Sequence, residues 1–95
     1  MQKYKFEELK EGTEVLVDLL YGQPRKEKEN IYQGHATVKQ KDKNKVIIEL
    51  HSELGTYNTF SFKPHRNRLL KIHYGNNFTE AIFYKPISKY TYINV

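Results

Sequence analysis

Apolar and polar residues trade places at every second position along this chain, in runs too short and too evenly spaced to be anything but strands. In "TEVLVDLL", Thr13 to Leu20, the residues Val15, Val17 and Leu19 fall on one side of an extended backbone. "IYQGHATVKQ" sets Tyr32, Gly34, Ala36 and Val38 against Gln33, His35, Thr37 and Lys39, and "KVIIEL" puts Val46, Ile48 and Leu50 on one face. The intervening "KDKN" reads as a turn, which makes these two runs a hairpin. In "TYNTFSF", Phe60 and Phe62 face one way and Tyr57, Thr59 and Ser61 the other. Pro64 cannot donate to a ladder, so this strand is expected to stop near it.

"RLLKIHY" resumes the extended pattern, read with Leu70 and Ile72 inward and Lys71 and His73 outward. "GNN" is a turn, "FTEAIFY" a further strand, and after "KPIS" the chain runs into "KYTYINV". The lead-in "YKFEELKEG" has room for one helical turn at most, and the mixed-charge stretch Gly22 to Asn30 reads as the one long loop.

Seven short strands with turns between them predict an all-β barrel or sandwich in a single domain, residues 1–95. From Glu14 to Tyr74 the order of elements resembles a small SH3-like β-barrel: a glycine-led first strand in "KEGTEVLV", a polar loop, the central hairpin "YQGHATVKQKDKNKVIIEL", and a last strand in "RLLKIHY". The resemblance implies a barrel over 14–74 and leaves 78–95 as an additional C-terminal β-hairpin. The expected core is Val15, Val17, Val38, Val46, Ile48, Leu50, Phe60, Phe62, Leu70 and Ile72.

Ninety-five residues suffice for one modest core, and with no cysteine that core must hold by packing alone. "MQKYKFEELKEG" alternates charge with apolar residues, unlike a leader peptide, and no run is long enough to span a bilayer, so a cytoplasmic protein without membrane contact is expected. A composition rich in Lys, Asn, Ile and Tyr suggests AT-rich coding and would suit an accessory factor of a phage or mobile element.

Little in the sequence points to catalysis. His35, His51, His65 and His73 lack the spacing of a metal site, so no metal and no cofactor is expected. Glu7, Glu8, Glu11 and Glu14 crowd the lead-in, and Ser52, Ser61 and Ser88 stand in no nucleophile context. The chain reads as a binding module rather than an enzyme.

The positive charge is unevenly placed within a formal net charge of +5. Residues 1–20 carry three lysines against five carboxylates, whereas residues 21–45 carry seven cations against three carboxylates. A second concentration lies in "FSFKPHRNRLLKIHY". Lys63, His65, Arg66, Arg68 and Lys71, with Tyr57 beside them, form the expected contact surface for DNA or RNA, since such contacts combine cations for phosphates with rings for bases. The alternative is a protein partner or a homodimer, met through Tyr84, Tyr90 and Tyr92 of the C-terminal hairpin, because tyrosine gives a rigid apolar surface with a polar tip.

Overall fold

A computed structural model describes residues 2–54 and 56–86. Six antiparallel strands follow one another around a closed barrel: β1 (Glu14–Gly22), β2 (Glu29–Lys41), β3 (Val46–Leu54), β4 (Tyr57–His65), β5 (Arg68–Ile72) and β6 (Phe78–Tyr84). The helical content among the described residues is two single 3-10 turns, Phe6–Glu8 and Tyr74–Asn76. This is an all-β fold, and a closed six-stranded antiparallel barrel of this size is consistent with the SH3-like class.

Alternation builds the core. Val15, Val17 and Leu19 of β1, Ala36 and Val38 of β2, Val46, Ile48 and Leu50 of β3, Phe62 of β4, and Ala81 and Phe83 of β6 all point inward and are buried. Leu9 is also buried in this cluster, although it belongs to no strand. The hairpin at "KDKN" forms as its residues predict, with Asp42 Oδ1 accepting from the backbone N–H of Asn44 at 2.7 Å and of Lys45 at 3.0 Å.

The barrel closes differently from the sequence expectation. β6 pairs with β1 from Leu16↔Tyr84 to Gly22↔Phe78 and with β5 from Leu70↔Glu80 to Ile72↔Phe78, so it is a stave of the wall and not the first arm of an appended hairpin. The reason is packing: five strands leave an edge of β1 open, and Ala81 and Phe83 fill the interior behind it. The expected second arm, 89–95, lies outside the described residues. Where β5 ends its pairing with β6, the lead-in takes over: Tyr4 N–H donates to the Phe83 carbonyl at 2.8 Å and Lys85 N–H to the Gln2 carbonyl at 2.8 Å.

At β4 one expectation holds, and at β5 another fails. β4 ends near Pro64 as expected, one residue past it at His65, with Pro64 itself paired to Leu69. Bonded and non-bonded pairs alternate in an antiparallel ladder, and with a tight turn closing on His65↔Arg68 the proline falls on a non-bonded pair. Its nitrogen then points to the side where β3 has already ended, opposite Phe62, so no ladder bond is lost. In β5 it is Leu69 that joins the core cluster, whereas Leu70 is buried on the other side of the wall and Ile72 is exposed. Two adjacent leucines carry no parity, and choosing the wrong one flips every side chain of the strand.

Candidate nucleic-acid interface

Lys63 and His65 alternate with the core residue Phe62, stand on the outer side of β4, and are exposed. The β4–β5 turn is the two residues Arg66 and Asn67, and Arg66 has φ 58°. Tight hairpins require left-handed backbone, which glycine or asparagine adopts most readily, so an arginine there holds its charge at the tip against a local preference.

Arg68 is committed elsewhere. Its Nη2 lies 3.2 Å from Glu80 Oε1, which also takes Lys28 Nζ at 2.9 Å, and its guanidinium covers the Phe78 ring at 5.0 Å. Burial alone would raise the Glu80 pKa, but Lys28 and Arg68 together outweigh it and hold the carboxyl below its ordinary value. Arg68 is therefore a clasp on the barrel wall, and of the four lysines and arginines predicted for the surface it is the one held in an ion pair.

The parity of β5 also relocates Lys71 and His73. Both share the side of Leu69 and stand at one mouth of the barrel, not on its outer corner. Lys71 Nζ lies 5.7 Å from the centre of the Phe60 ring. His73 Nε2 is 2.7 Å from Thr79 Oγ1, and its ring is 6.1 Å from that of Tyr21. Burial first, and then the charge of Lys71, lower the His73 pKa and favour the neutral imidazole.

The β4–β5 ladder covers only Lys63↔Leu70, Pro64↔Leu69 and His65↔Arg68. Beyond it, Tyr57–Phe62 of β4 has β3 on one side and no ladder partner in β5 on the other. A cleft of about 470 Å³ occupies the lapse, lined by Ser61, Lys63, Pro64, His65, Leu70, Lys71 and Ile72. It brings together Lys63, His65 and Lys71 of the predicted set, and among the described residues no carboxylate lines it. Tyr57 stands exposed at the far end of β4, away from the hairpin turn.

On the other side of the hairpin lies a groove of about 550 Å³, between the lead-in and the β4–β5 turn with Ala81 to Phe83 beneath. Lys3, Lys5 and Arg66 line it together with Tyr4 and Phe6, and Glu7 and Glu80 are its acids. Sequence reasoning counted Lys3 and Lys5 in an acidic segment. No local signal marks them as neighbours of Arg66, because their position depends on the lead-in pairing with β6.

The remaining candidates lie elsewhere. Tyr84 is half-buried in β6 beside Leu16, with its pKa raised by burial and then by the Asp18 carboxylate, while Tyr90 and Tyr92 lie outside the described residues. His35 and His51, unremarkable in sequence, stack with ring centres 6.0 Å apart on the outer face. Glu14 Oε1 is 3.5 Å from His35 Nδ1, and His51 Nε2 is 2.8 Å from Thr37 Oγ1. Both rings are exposed and neither cleft includes them; among the described residues no group of three or more acidic, histidine or cysteine side chains is arranged to hold a metal ion. No helix of the described residues is long and apolar enough to cross a membrane.

Fold and surface together define a small closed antiparallel barrel with a cationic β4–β5 hairpin. Comparison of the chain with models of protein families, with curated proteins and with solved structures gave no match.

Proposed function

We propose that this protein is a non-catalytic binding module that meets nucleic acid through the cations gathered around the β4–β5 hairpin. One observation carries the reading: Lys63, Arg66 and Lys71 are exposed around one hairpin, and among the described residues no carboxylate lies within 4.0 Å of any of them. Cations left without carboxylate partners are free to displace the counterions of a phosphate backbone. The left-handed Arg66 supports the same reading, since a charge kept where glycine fits better is a reasonable mark of use. A cytoplasmic role as an accessory factor of a phage or mobile element suits the composition.

Titration of labelled DNA with the protein over a range of salt tests this. Wild-type protein is expected to bind at low salt and to weaken steeply as salt rises. Lys63→Gln with Arg66→Gln should weaken binding and flatten the salt slope by about one unit for each phosphate no longer neutralised. No shift of any nucleic acid and no retention on heparin at low salt would overturn the proposal.

A further inference from the structure

All three large hydrophobic side chains exposed among the described residues flank the lapse between β4 and β5. Tyr57 is 70 %, Ile72 62 % and Tyr74 97 % exposed. β4 and β5 run antiparallel from the turn at Arg66, so Tyr57 at the start of β4 and Tyr74 just after β5 lie at the same end of the barrel. Between that end and the turn runs the cleft lined by Lys63, His65 and Lys71. Among the described residues, rings held open to solvent, a strand edge without a ladder partner and a cleft with cations but no acids thus share one strip of the surface.

Resting on the function proposed above, we infer that the nucleic acid is single-stranded and lies along this strip, with bases against Tyr57 and Tyr74 and phosphates against Lys63 and Lys71. A duplex keeps its base faces stacked on one another, so exposed tyrosine rings would find nothing to stack on. The fold also lacks the part that reads duplex DNA most often, since the longest helical element among the described residues is three residues. A single strand offers both partners at once, a π-face for each ring and a phosphate for each cation. At about 3.3 Å per residue, the strand from Tyr57 to Lys63 spans about 20 Å, room for several nucleotides. Ile72 supplies apolar contact beneath them, and the absence of a carboxylate among the described residues of the cleft removes the repulsion a backbone would otherwise meet.

The test compares a short oligodeoxythymidylate with a duplex of equal length, each titrated by fluorescence anisotropy at several salt concentrations. Wild-type protein should prefer the single strand. Tyr57→Ala with Tyr74→Ala should lower single-strand affinity by about tenfold to a hundredfold, leaving the salt slope and the melting temperature unchanged. Tyr57→Phe with Tyr74→Phe should restore it, because the ring and not the hydroxyl does the stacking. Lys63→Gln with Lys71→Gln should instead flatten the salt slope. Equal binding of single strand and duplex, with neither weakened by the alanine pair, overturns the single-strand inference and leaves the cationic hairpin reading intact. Failure to bind either probe overturns both. Self-association that disappears in the alanine pair, in a protein that binds neither probe, would assign the strip to a second copy of the chain.

Discussion

Replacing Glu80 with glutamine removes one charge and almost no volume, and the geometry of the clasp sets the outcome. The Glu80 side chain is 10 % exposed and receives Lys28 at 2.9 Å and Arg68 at 3.2 Å, whereas those two cations are 43 % and 42 % exposed. Breaking a fully buried ion pair costs about 3–5 kcal/mol, because a charge is left dry. Here the charges left behind can turn into water, so that figure is an upper bound, while two exposed pairs at up to about 1 kcal/mol each mark the lower range. The expected loss is about 1–3 kcal/mol. For a domain of this size, at about 4–8 °C per kcal/mol, the melting temperature should fall by roughly 5–20 °C.

The pH dependence gives the sharper check. The Glu80 carboxyl is held below its ordinary value of 4.5, so its stabilisation is fully present above that pH and is lost as pH falls through the lower folded value. Once protonated, the wild-type side chain is neutral like glutamine, and the two melting curves should converge. His73, whose neutral form the fold favours, also loses stability on acidification, but both proteins share it and it cancels in the difference. Thermal melts followed by circular dichroism from neutral to strongly acidic pH measure this. Equal melting temperatures at neutral pH, or a gap that persists undiminished in acid, would refute the argument.

Ile48→Ala should cost about 2–5 kcal/mol in urea unfolding by leaving a cavity in the core, whereas Ile72→Ser, on an exposed residue of β5, should stay within about 0.5 kcal/mol. Gly22→Ala would drive a methyl group into the Phe78 ring, whose face Arg68 already covers, and should cost about 1–3 kcal/mol. Adding Phe78→Leu to that variant should recover part of the loss, again read by urea unfolding. Arg66→Gly should leave stability unchanged or raise it by up to about 1 kcal/mol, by relieving the left-handed backbone, while weakening nucleic-acid binding in the same preparation.

Most of the barrel was legible because β1 to β4 each carry an unambiguous alternation, as Val15, Val17 and Leu19 do in β1. β5 was not, because Leu69 and Leu70 are adjacent and parity had to be guessed. That single choice carried Ile72 into an expected core and Lys71 and His73 onto an expected outer face. β6 looked superfluous for a different reason. Counting strands does not reveal how many a barrel needs to close, which depends on the volume that Ala81 and Phe83 fill behind β1. Of the predicted contact residues, Lys63, His65 and Arg66 follow from hairpin alternation and the turn, and the structure keeps them exposed. Arg68 could not be read as a structural residue, since its partner Glu80 comes from β6 and the second cation on that carboxylate, Lys28, from the β1–β2 loop. Tyr74 drew no notice because it gains meaning only beside the lapse in the ladder.

The ladder between β1 and β6 joins segments near opposite ends of the described chain, Leu16 with Tyr84. During synthesis β1 emerges early and must wait for β6, with one edge bare and Leu16 and Leu20 on its outward side. A nascent chain in that interval resembles an open sheet, and a pairing that spans so much sequence closes slowly, on the millisecond to second scale typical of all-β topologies. Crowded polysomes would therefore be where this protein is most prone to pair with its own copies, and slower translation would lengthen that exposure rather than relieve it.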